Sequence, residues 1–150
     1  MMVIPYDSRY DLKDLLLMLP DWIKGHPSYA HYPVDVEHTK RMAEGIDSVL
    51  HGRLLLDDES NIVGALLYIV APTFYSPAIE ANELVFYIQP EHRSYKAARK
   101  LVQSAEQDAF DLGAVRFIMG NSGGHRDKSI EKLYTRLGFY SASGTYYKER

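Results

Sequence analysis

The chain has 150 residues, 46% of them apolar and 25% charged, with a formal net charge of −3 and no cysteine. That length predicts one domain over residues 1–150 with a core of its own, and the missing cysteines exclude disulfides, a thiolate nucleophile and a cysteine-held metal. The charge argues against a general nucleic-acid binder, no apolar run approaches the ~18 residues of a membrane helix, and MMVIPYDSRYD shows no secretory leader pattern, so a cytoplasmic location is expected.

MMVIPY reads as a short first strand. Leu12, Leu15, Leu16, Leu19, Trp22 and Ile23 then fall at helical spacing, with Pro20 expected to kink or split the helix. KGHPSYAHYP is an aromatic loop punctuated by Pro27 and Pro33. From Asp35 to Leu50, Met42, Ala43, Ile46, Val49 and Leu50 suggest a second helix. RLLLD and IVGALLYIVA flank the polar DDESN and read as a β-hairpin. APTFYSPAIEAN is a loop, and ELVFYI is the next strand. Ala98, Val102, Ala105, Ala109 and Leu112 step by 4, 3, 4 and 3 residues, the clearest helix in the chain, with Gly113 at its C-terminal cap. VRFIM is a strand and NSGGHRD a loop. Ile130, Leu133, Tyr134 and Leu137 form one face of the last helix, with Asp127 or Ser129 as N-cap and Gly138 as its stop. FYSASGTYYKE predicts two short strands around Ser143 and Gly144.

The order predicts one mixed sheet with helices packed on it, an α/β (α+β) fold. ELVFYI, its helix and VRFIM make a βαβ unit whose strands run parallel. In such a unit the first-turn N–H groups of the helix, here residues 93–98, face the carboxyl end of the strand and can hold a phosphate. Arg93 supplies a planar cation suited to phosphate and Lys96 a second charge; a plain solvated helix start is the other reading.

At this point the sequence resembles the GNAT superfamily of acetyl-CoA-dependent N-acetyltransferases. Ile88, Pro90, Arg93, Lys96 and Ala98 stand at the positions of its V-x-P-x-x-R-x-x-G-x-G/A pattern, and Leu133-Tyr134-Thr135-Arg136-Leu137-Gly138-Phe139, downstream of Asn121, is similar to its N…LYxxxGF segment. The resemblance implies a GNAT-like mixed sheet of six to seven strands flanked by four helices. It implies acetyl transfer from acetyl-CoA to a primary amine of a small-molecule or protein acceptor, without a metal. It further implies that Tyr87, Ile88, Arg93, Ser94, Tyr95, Lys96, Ala97, Ala98 and Asn121 line the cofactor, that Glu83 (with Glu80 as substitute) accepts the amine proton, and that Tyr134 protonates the departing thiolate. Lys96 replaces the family's first glycine; either its charge reaches a phosphate or its bulk blocks one.

Other constellations carry less. His26, His31, His38, His51, His92 and His125 show no metal-ligand spacing and are expected at the surface. Trp22, Tyr29, Tyr32, Phe74 and Tyr75 lie in or beside two loops and either wall an acceptor pocket or pack. Two rival readings remain at this stage: a GNAT-fold binding or structural module without catalysis, and an enzyme that uses a different acyl-CoA. Neither the acceptor nor the oligomeric state follows, and a homodimer is admitted.

Overall fold

The computed structural model describes residues 1–26, 29, 31–120, 128–141, 148 and 150. Five strands are formed among them: β1 (Met2–Pro5), β2 (Leu50–Leu56), β3 (Ile62–Pro72), β4 (Ile79–Ile88) and β5 (Arg116–Ile118). They lie side by side in chain order. The first three pairings are antiparallel and β4–β5 is parallel, as the βαβ reading required. Four helices accompany them: α1 (Ser8–Lys24), α2 (Val36–Gly45), α3 (Tyr95–Asp111) and α4 (Lys128–Arg136).

The caps are local chemistry. The Asp7 carboxylate accepts from Arg9 N at the head of α1, and Asp35 does the same for His38 N at α2, satisfying amides that have no partner within the helix. Gly113 (φ 96°) and Gly138 (φ 89°) follow α3 and α4 in the left-handed region that ends helices.

Four sequence expectations are corrected. Pro20 does not split α1, which continues through it to Lys24; Pro20 is exposed, so the carbonyl that loses its donor can be hydrated. The second helix stops at Gly45 rather than Leu50, because Leu50 is buried in β2 opposite Ile69. β4 begins at Ile79, inside the stretch read as loop, since its backbone finds partners on both β3 and β5. Ser129 lies inside α4 rather than at its cap. Most of the expected C-terminal hairpin, 142–147 and 149 of residues 139–149, and the alternative cap Asp127 lie outside the described residues.

The core lies between the sheet and α3. Ala97, Leu101, Val102, Ala105 and Ala109 meet Leu55, Val63, Leu66, Tyr68, Ala81, Ile88 and Phe117. The helix face is therefore largely alanine, which lets it sit close to the sheet. One polar group crosses this layer. The Asp108 carboxylate accepts from the Tyr68 hydroxyl at 2.5 Å and pairs with Arg53 Nη2 at 2.7 Å, while Arg53 Nε is buried without a partner. Burial and the Asp108 bond push the Tyr68 phenol upward.

Candidate active site

The site forms where β4 and β5 part. Their ladder holds Glu80↔Arg116, Ala81↔Phe117 and Asn82↔Ile118. β4 continues to Ile88 with no β5 partner among the described residues. On its other edge Leu67 faces Val85 but Tyr68 faces Glu83, so Leu84 is an extra residue, a β-bulge. A bulge reverses which residues face which side: Ile79 and Ala81 point to the core before it, Phe86 and Ile88 after it.

Glu83 sits at this switch. Its Oε2 accepts from Gly120 N at 2.7 Å, bridging the gap between the strands. The carboxyl is half-buried; desolvation pushes its pKa up and the Gly120 N–H partly offsets that. Tyr134, on α4, donates its hydroxyl to Gly120 O at 2.9 Å. Both expected catalytic side chains thus converge on the two polar atoms of a single residue. Gly120 itself is invisible to sequence reasoning; its one signal is a glycine directly after an apolar strand. A Cβ there would lie 3.2 Å from Glu83 Oε2. Glu80 is placed differently: its carboxylate pairs with Arg116 Nε at 3.1 Å.

The loop before α3 is ordered by its own side chains. Ser94 caps the helix by accepting from Ala97 N at 3.0 Å, and Ala98 N bonds the Ser94 carbonyl at 3.0 Å. The amides of Tyr95 and Lys96 are the two that start the helix without these bonds. Arg93 turns back: Nε donates to the Ile88 carbonyl at 2.7 Å and its guanidinium lies 5.7 Å from the centre of the Tyr87 ring. Tyr87 is half-buried, and desolvation raises its pKa. Ile88 and Ala97 are buried in the core, so only their backbones face the loop. Tyr95 carries the Arg136 guanidinium 5.1 Å above its ring. Lys96 is exposed, and among the described non-glycine residues only Ser60 has a positive φ. The lysine therefore stands in ordinary helical backbone, and the family's glycine is not required there for conformational reasons. Asn121 lies outside the described residues.

Among the described residues no ring contact joins the two aromatic loops. Trp22, His26, Tyr29 and Tyr32 meet in series as tilted ring pairs, with centroids 5.3, 4.6 and 6.1 Å apart. Phe74 and Tyr75 pack only edge-on against each other at 5.0 Å and are 94% and 93% exposed. His26, expected at the surface, is buried within the first group with neither ring nitrogen bonded, and desolvation lowers its pKa. The contacts of neighbouring rings outweigh its hydration. Among the described residues no cluster of three His, Cys, Asp or Glu is placed to hold a metal, and no helix is long and apolar enough to cross a membrane.

No curated protein matches the chain. Solved structures do. Ribosomal-protein-alanine N-acetyltransferase from Brucella melitensis biovar Abortus 2308 superposes with a TM-score of 0.75 at 13% identity over 100% of both chains. An aminoglycoside acetyltransferase from an uncultured soil metagenomic sample gives 0.76 at 14% identity over 99% of this chain and 96% of that one. Glucosamine-6-phosphate N-acetyltransferase from Arabidopsis thaliana gives 0.71 at 12% over 99% of each. At these identities the likeness is one of fold. The Acetyltransferase (GNAT) family matches across residues 17–139, a span that holds both Glu83 and Tyr134. The chain belongs to the GNAT family of acetyltransferases.

Proposed function

We propose that this acetyltransferase moves the acetyl group of acetyl-CoA onto a primary amine, with Glu83 accepting the amine proton and Tyr134 serving the departing sulfur. The observation that carries the reading is the convergence of both side chains on Gly120 at the parting of β4 and β5. An alkyl ammonium ionises near pH ~10.4, so a base is needed at neutral pH. Burial of Glu83 raises its pKa and makes it a stronger base than an exposed carboxylate. Once deprotonated, the amine nitrogen attacks the thioester carbon. The N–C bond forms, the C–S bond breaks, and the sulfur leaves as a thiolate that takes the Tyr134 proton or escapes unaided, while the nitrogen's surplus proton passes to the Tyr134 phenolate or to the free thiolate.

Binding follows from the same geometry. Residues 83–88 present a β4 edge with no β5 partner among the described residues, and its backbone groups suit a ligand that carries amides of its own. The Tyr95 and Lys96 amides at the head of α3, with Arg93 and Lys96 beside them, suit the pyrophosphate. Lys96 in helical conformation supports a competent loop rather than a blocked one. Fold neighbours named for aminoglycoside, sugar-phosphate and protein substrates support an amine acceptor without selecting one.

The test is calorimetric titration with acetyl-CoA, followed by a thiol-release assay across small amines and amine-bearing peptides. Binding with heat and amine-dependent thiol release is expected. Absence of both heat and any shift in Tm at saturating acetyl-CoA sinks the proposal. Release with a longer acyl-CoA alone corrects the donor.

A further inference from the structure

Helix α4 carries Lys128, Lys132 and Arg136 at intervals of four, which sets them in one stripe. With Glu131 and Thr135, all five exposed, they line an open depression of about 510 Å³. Glu131 in the first turn and Arg136 in the last follow the helix dipole, but the cation spacing and Lys128 run against the helix's own electrostatics. Cations four apart repel, and Lys128 stands at the end where the helix dipole is positive. Glu131 is the single carboxylate in the lining. Among the described residues Lys128, Lys132 and Arg136 form no ion pair, in a chain whose formal net charge is −3. A local concentration of uncompensated cations on an acidic protein is an anion-binding feature. Its place is also defined: the Arg136 guanidinium lies over the ring of Tyr95, the first residue of α3. The stripe therefore begins beside the helix end whose amides and Lys96 face the proposed pyrophosphate.

We infer that the Lys128–Lys132–Arg136 stripe binds the 3′-phosphate of the CoA adenosine. This rests on acetyl-CoA being the donor, as proposed above. A phosphomonoester carries close to two charges at neutral pH, more than each pyrophosphate unit, and needs cations separate from those at the head of α3. Arg136 offers a planar donor fork where the two sites meet, and the lysines extend the positive surface along α4.

The experiment compares acetyl-CoA with 3′-dephospho-acetyl-CoA by calorimetry at low salt, for the wild type and for a Lys128→Gln/Lys132→Gln variant. Both lysines are exposed, and equal melting temperatures confirm that the fold is kept. The wild type is expected to prefer the 3′-phosphorylated ligand by about fivefold or more, the scale of exposed charge pairs, and the preference should shrink as salt rises. The variant should weaken acetyl-CoA by that factor and leave 3′-dephospho-acetyl-CoA unchanged. Equal wild-type affinities overturn the inference while leaving the donor proposal standing. So does a variant that keeps the preference, or one that weakens both ligands alike. If neither ligand binds the wild type, the donor proposal falls and this inference falls with it.

Discussion

Replacing Glu83 with glutamine removes a charge and a base while leaving the local bonding in place. The amide keeps a side-chain oxygen of the same reach, so the 2.7 Å bond from Gly120 N survives. Loss of a general base costs about 10²–10⁴ in kcat/KM, or about 2.7–5.4 kcal/mol of transition-state stabilisation. Affinity for acetyl-CoA should hardly change. The wild-type rate should fall on the acid side as Glu83 takes up a proton, at a pH above that of an ordinary glutamate because burial raises its pKa. The variant should lack that limb, and its deficit should narrow at high pH, where more of the acceptor is already neutral. Stability supplies an independent sign. A carboxyl whose pKa is raised by folding binds its proton more tightly in the folded state, so its ionised form disfavours folding above the unfolded value. Glu83→Gln should therefore be at least as stable as wild type at pH 7, with the difference vanishing below about pH 4.3, the unfolded glutamate value. Thiol-release kinetics from pH 5.5 to 9.5 and thermal melts at pH 4 and 7 measure both arms. Full activity at pH 7, an acid limb that persists, or a lower melting temperature at pH 7 would refute the reasoning.

Tyr134→Phe removes the hydroxyl donated to Gly120 O; since a thiol of pKa ~8.5 leaves tolerably alone, kcat should drop about tenfold, and an unchanged kcat counts against the role. Asp108→Ala strands the Arg53 guanidinium and the Tyr68 hydroxyl in the α3 interface. It should cost about 3 kcal/mol, a fall of roughly 6–12 °C in Tm, against about 1 kcal/mol for Tyr68→Phe; a melt within 2 °C of wild type would contradict this. Lys96→Gly should cost up to about 1 kcal/mol of helix stability, weaken acetyl-CoA and flatten the salt dependence, whereas tighter binding would mean that the lysine blocks the site.

The β2–β3 hairpin and the β4–α3–β5 unit were legible because their periods are clean and their partners are adjacent in sequence. α3 illustrates the limit: its spacing located the helix, but Leu112 is exposed and Leu101 buried, because the sheet beneath decides which flank turns inward. The split allowed for at Pro20 does not occur for a related reason, since an exposed proline can be carried within a helix. The loss of Leu50 to β2 and the early start of β4 are decided by pairing with residues far along the chain. No residue type marks the bulge at Leu84, so the change of facing that brings Glu83 to the gap could not be read. The resemblance named Glu83 and Tyr134; their common partner Gly120 lies 37 and 14 residues away from them, a separation that no local pattern spans. His26 reads as a loop histidine and is buried only because Trp22 and Tyr29 close around it.

The Asp108 group fixes a degree of freedom that apolar packing leaves loose. A face on which only Leu101 and Val102 stand out among Ala97, Ala105 and Ala109 offers few large side chains to interlock with the sheet, and apolar contacts alone hold its position weakly. Directional bonds from Asp108 to Tyr68 and Arg53 select one axial position and one rotation. Asp108 is thirteen residues from Tyr95, about 20 Å along a rigid helix. The polar group near one end of α3 therefore acts as a set-screw for the amides at the other, and the direction in which they point is decided about 20 Å away.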